Sequence, residues 1–165
     1  DLDGQWQLVD TWDPRHKKLL AEFPPHPNSY FCLGLLSRFT AKHSTILGSR
    51  VDGGRLDDWQ RVFCAAFRSP AGNLTLTVVN DAPAEFQLKL VLQALPEPAR
   101  FYRYRYGEAQ QDRADVMVNP QIEFSLTPET NELEDTLPKN SLTIYSTYKL
   151  EHDSPGVIAE SANQP

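Results

Sequence analysis

The chain lacks any run of lysine and arginine longer than a pair, although 16 such residues stand against 22 aspartates and glutamates for a formal net charge of −6. Phosphate backbones are held by a concentrated basic footprint, so nucleic acid is not an expected partner. Long hydrophobic runs are absent too, and nothing approaches the roughly 20 apolar residues that a helix needs to cross a bilayer. No membrane partner is expected. The four histidines, His16, His26, His43 and His152, show no paired metal-ligand spacing, and no Ser-His-Asp or Cys-His arrangement stands out. Cysteine is scarce: Cys32 and Cys64 each sit inside an apolar run, the placement of small buried hydrophobes, which leaves a bridge and the redox compartment undetermined. Neither an initiator methionine nor a signal-type apolar segment opens the chain at Asp1, and a processed or partial chain is expected.

What is present is globular. At 165 residues, with 40% hydrophobic and 23% charged content, the chain can bury one core with an appended piece, and its 13 prolines mark turns. Gln5 to Asp10 reads as a short strand ended at Thr11-Trp12-Asp13-Pro14, followed by a proline-rich loop to Pro27. Asn28 suits an N-cap, and Phe31, Leu35 and Phe39 at i, i+4 and i+8 predict a one-faced helix of about three turns. Beyond it the period falls to two. Strands are predicted at 60–69, 73–80, 85–92, 100–106, 116–118, 122–126 and 141–148, the first three of these as a meander. The fold class expected is mainly β, a two-sheet antiparallel β-sandwich with one N-terminal α-helix.

Several phrases resemble one family in their order along the chain. Asn73-Leu74-Thr75-Leu76-Thr77-Val78-Val79-Asn80-Asp81 resembles the "G-x-L-x-(V/L)-x-V-V-N-D" strand of the accessory sandwiches in clan A glycoside hydrolases. Arg100-Phe101-Tyr102-Arg103-Tyr104 is similar to their "Y-R-Y" strand. Leu137-Pro138-Lys139-Asn140-Ser141-Leu142-Thr143-Ile144-Tyr145 resembles their closing "L-P-P-x-S-L-T-V-Y". Tyr30 to Thr40 is similar to the last barrel helix, which would make Gln5 to Asp13 the eighth barrel strand. The resemblance implies a remnant of the barrel at 1–43, a sandwich at 44–151 and a flexible tail at 152–165. It also implies that the chain is non-catalytic, with the (β/α)₈ barrel of the same protein as its partner. Retaining glycosidases use two carboxylates about 5 Å apart, and in this clan both belong to barrel strands that would precede Asp1. A full barrel takes about 250 residues.

Candidate site residues follow from the same reading. Trp12 and Asp13 would stand at the mouth of the barrel, where an indole offers a platform for a pyranose face; the alternative is that Trp12 packs a loop onto the helix. On the closing strand, alternation places Leu142, Ile144 and Tyr148 inward and leaves Tyr145 outward beside Thr143 and Thr147, a third candidate sugar contact. Tyr102, Tyr104 and Tyr106 share one face of their strand with Arg103 and Arg105 on the other, and the arginines mark the expected wet face. Asp112, Asp115, Glu129, Glu132, Glu134 and Asp135 read as loop carboxylates. Structural calcium is the alternative to a solvated acidic edge, but no loop has graded calcium-ligand spacing, so no cofactor is expected. Two rival functions remain: a carbohydrate-binding module using exposed aromatics, and an immunoglobulin-like interaction domain, which would lack the Cys-Trp-Cys framework.

Overall fold

The computed structural model describes residues 12–13, 15–19, 27–57, 60–93, 95–107 and 120–150. The expected strands at Gln5–Asp10 and 116–118 and the tail from residue 152 lie outside these. Trp12–Asp13 (β1) pairs antiparallel with Lys18–Leu19 (β2), with Trp12 opposite Leu19. A small hairpin therefore occupies the place where a strand end and an irregular loop were expected, turned by Lys17 at a φ of 49°.

The helix α1 spans Pro27–Phe39. Proline suits the first turn because its missing N–H would be unsatisfied there anyway. Leu35 and Phe39, one turn apart, are buried against the sheet, and Arg38 stands in the last turn, where the helix dipole favours a cation. Thr40 N–H closes the helix on the Leu36 carbonyl, and Ser44 bonds back to the Ala41 carbonyl through both its N–H and its hydroxyl.

Eight further strands follow: β3 (Thr45–Leu47), β4 (Arg61–Arg68), β5 (Leu74–Asp81), β6 (Phe86–Val91), β7 (Ala99–Tyr106), β8 (Ile122–Leu126), β9 (Glu132–Leu137) and β10 (Ser141–Ser146). Six of them form one antiparallel sheet in the order β3-β4-β5-β10-β7-β8, while β6 and β9 form a separate two-stranded ribbon. The layers are helix, six-stranded sheet and ribbon. One core lies between α1 and the sheet, built on Leu35, Phe39, Tyr104, Tyr106, Leu142 and Ile144. The other lies between sheet and ribbon, built on Val62, Val78, Phe101, Leu126, Leu137 and Tyr145.

One expectation about connectivity is corrected. β4 and β5 do form a hairpin, closed by Ser69 N–H to the Asn73 carbonyl with Gly72 at a φ of 88°. The meander ends there, because β5 has β10 as its other neighbour and β6 crosses to the ribbon. Asn80 marks the switch. Its buried amide nitrogen reaches the carbonyls of Ala84 (2.8 Å), Pro138 (2.9 Å) and Leu137 (3.2 Å), tying the end of β5 to the turn between β9 and β10.

The closing strand differs as well. Alternation of apolar and hydroxyl residues suggests one solvated face, yet all six residues of β10 are buried, because the strand lies in the middle of the sheet with a layer on either side. Leu142 and Ile144 face α1 as expected. The hydroxyls of the other residues are bonded inside the protein, Ser146 to Thr75 at 3.0 Å among them, which is what lets a mixed strand occupy a central position.

Candidate functional site

β9 carries the largest surprise. Glu132 to Leu137 alternates Leu133, Asp135 and Leu137 toward the sheet with Glu132 and Glu134 toward solvent. One aspartate at an apolar position hides the strand pattern, and the segment was expected to be an acidic loop. Among the described residues no three His, Cys, Asp or Glu side chains come together as a metal site.

Asp135 projects from the ribbon onto β7 and β10. Its Oδ1 accepts from Arg103 Nη1 at 2.7 Å and from the Thr136 N–H at 2.8 Å; its Oδ2 accepts from Arg105 Nη2 at 2.8 Å and from the Tyr145 hydroxyl at 2.6 Å. Arg105 Nε also donates to Thr143 Oγ1 at 2.9 Å. The side chains of Arg103, Arg105 and Asp135 are only 14%, 11% and 12% exposed. Burial alone would raise the Asp135 carboxyl, but hydrogen bonds from Tyr145 and Arg103, the charge of Arg105 and the Thr136 N–H outweigh it, and its pKa is lowered. Burial first, then the bond and charge of Asp135, push the Tyr145 phenol well above its ordinary value, so it stays a donor.

These contacts correct two orientations. Arg103 and Arg105 do not mark a wet face: they lie between sheet and ribbon, neutralised by a carboxylate on the facing strand, while Tyr104 and Tyr106 are buried under α1. Tyr104 packs on Phe39 with ring centroids 4.6 Å apart and accepts the Leu150 N–H at 2.7 Å. Both faces of β7 are therefore covered. Tyr145, expected outward as a sugar contact, is fully buried beside Phe124 with its hydroxyl on Asp135. Of Trp12 and Asp13 only the backbone in β1 is described.

Chemically the Asp135 constellation is a clasp. A carboxylate with all its acceptor positions filled and its pKa held low has no proton to give at neutral pH and no free lone pair for a nucleophilic attack. Sequence reasoning missed Asp135 and Asn80. The signal for Asp135 was the pair of arginines two residues apart on a strand whose other face is aromatic, which requires an acid opposite if both faces are covered.

No family model and no curated protein matches the sequence. Solved structures do match. A GH30 endoxylanase from Clostridium papyrosolvens C71 superposes with a TM-score of 0.51 at 16% identity, over 72% of this chain and 27% of that one. A glycoside hydrolase family 30 subfamily 8 xylanase from Clostridium acetobutylicum gives 0.53 at 10% identity, over 82% of this chain and 30% of that one. At such identities the likeness carries the fold alone: the chain has the mainly β fold of one part of these two structures, and it spans less than a third of either neighbour.

Proposed function

We propose that the chain is the non-catalytic C-terminal β-sandwich region of a glycoside hydrolase, supporting the catalytic (β/α)₈ barrel of the same protein. The observation that carries this reading is the asymmetric match, most of this chain against less than a third of each xylanase. The interior supports it. The buried carboxylate Asp135 is locked in a clasp between layers, with two arginines rather than a second carboxylate beside it. In this proposal residues 1–43 join the sandwich to the barrel, 44–151 form the sandwich, 152–165 are a tail, and Trp12 and Asp13 border the sugar cleft of the intact protein.

A carbohydrate-binding module is the weaker reading. Coplanar exposed aromatics are needed for that role, and Tyr104, Tyr106 and Tyr145 are buried; among the residues whose side chains are described Phe63 is the one exposed aromatic, with the Arg61 guanidinium 4.6 Å above its ring. The test is an assay of the purified chain on aryl xylosides, glucosides, arabinosides and glucuronides, alongside affinity gels containing xylan, cellulose or mannan. Neither turnover nor retardation is expected. Turnover abolished by one carboxylate substitution would overturn the non-catalytic reading, and retardation would favour the binding module.

A further inference from the structure

Asn73-Leu74-Thr75 is the one Asn-X-Ser/Thr triplet in the sequence, with no proline at its middle position and none directly after it. Such triplets are acceptors for N-linked oligosaccharide where the asparagine comes to lie at the surface. The fold puts this one at the tip of the β4–β5 hairpin. Pro70, Ala71 and Gly72 are exposed and Asn73 is half-buried.

The turn is closed by other groups. Ser69 N–H donates to the Asn73 carbonyl and Gly72 N–H to the Ser69 carbonyl, both at 2.9 Å, while the Ser69 hydroxyl accepts from Asn73 N–H at 3.1 Å. The left-handed position falls on Gly72, at a φ of 88°, and not on Asn73. The backbone geometry that favours asparagine in turns is therefore not what fixes this residue. Its Oδ1 accepts from Thr147 Oγ1 at 3.4 Å, and a sugar attached at Nδ2 leaves that oxygen in place.

In the finished fold the rest of the triplet is closed. Thr75 is 2% exposed, with its Oγ1 3.0 Å from Ser146 Oγ, and Leu74 N–H donates to Thr147 Oγ1 at 2.9 Å. These partners stand at the end of β10, and Ser146 follows Thr75 by 71 positions. At about 5–20 residues per second of synthesis, roughly 4 to 14 s pass between the two. During that interval the triplet is made and its covering strand is not.

We propose that Asn73 is an N-glycosylation site, modified on the growing chain before β10 pairs with β5 and displayed at the hairpin tip of the folded protein. The co-substrate is an oligosaccharide carried on a lipid diphosphate. Asn73 Nδ2 bonds to the anomeric carbon of its first sugar as the bond from that carbon to the diphosphate oxygen breaks; the lipid diphosphate leaves with the electron pair, and the amide gives up one proton. The site places synthesis of the chain in a secretory compartment. Nothing in it depends on the glycosidase reading.

Mass spectrometry of the tryptic peptide 69–89 tests the proposal on the protein isolated from its source, before and after release by peptide-N-glycosidase F in heavy-oxygen water. Carbohydrate on Asn73 is expected, with labelled aspartate at 73 after release; a bare Asn73 overturns the proposal. A second arm uses residues 1–165 behind a cleavable secretory leader in a eukaryotic host, read on total cell protein so that a variant that fails to fold is still scored. The glycosidase-sensitive mass shift should be lost in Asn73→Gln and in Thr75→Ala, and its persistence in Asn73→Gln overturns the assignment. The timing has its own readout: folded, unmodified chain from a bacterial host, offered to membranes that carry the enzyme and the lipid-linked donor, should stay bare. Modification of that folded chain as complete as on the nascent one overturns transfer before folding.

Discussion

Replacing Asp135 by asparagine tests the clasp between the layers. The substitution preserves shape and removes the charge that two buried arginines share. Arg103 already has its Nε buried without a partner, so the site has no spare acceptor to take up the loss. Breaking a buried ion pair by removing one partner costs about 3 to 5 kcal/mol, and at about 2 to 4 °C per kcal/mol for a domain of this size the melting midpoint should fall by roughly 6 to 20 °C. The pH dependence has a definite sign. The folded carboxyl has a lowered pKa, so its contribution is fully present above the unfolded value of about 3.9 and is lost as pH falls through the lower folded value. Urea unfolding of both proteins at pH 7, 4 and 2.5 should show a large gap at pH 7 that narrows at the lowest pH. A gap below about 1 kcal/mol, or one that stays constant over that range, refutes the clasp as an energetic element.

Three other outcomes are expected. Leu35→Ala should cost about 2 to 5 kcal/mol in urea unfolding, since it opens a cavity between α1 and the sheet; an unchanged midpoint would mean the helix is undocked. Asn80→Ala should cost about 1 to 3 kcal/mol by removing the buried donor that the carbonyls of Ala84, Leu137 and Pro138 share, whereas Asp81→Ala, on an exposed neighbour, should stay within about 0.5 kcal/mol. In the intact protein Trp12→Ala should raise KM for polymeric substrate while leaving the unfolding midpoint in place, and an unchanged KM would remove Trp12 from the cleft.

The sequence made the strands legible wherever alternation was clean. β4, β5, β6, β7 and β8 lie within a residue or two of their expected bounds, and the helix face at Leu35 and Phe39 was readable from spacing alone. Pairing was less legible, since alternation describes one strand at a time: nothing in Phe86 to Val91 says that its partner is β9 rather than β5. Burial was misjudged for one physical reason. Charged and hydroxyl residues were assigned to water, whereas Arg103, Arg105, Thr143 and Tyr145 satisfy one another around Asp135 in the interior. A three-layer arrangement covers both faces of the central strands, and that arrangement depends on contacts between residues 30 or more positions apart.

The most direct measurement is thermal inactivation of the longer polypeptide with and without residues 44–165, followed by kcat and KM at a permissive temperature. If the chain is a supporting domain, the truncated protein keeps the barrel's catalytic glutamates yet loses activity at a lower temperature, or fails to fold. An identical inactivation temperature with unchanged kcat and KM, or glycosidase activity that resides in residues 1–165 alone, would contradict that role.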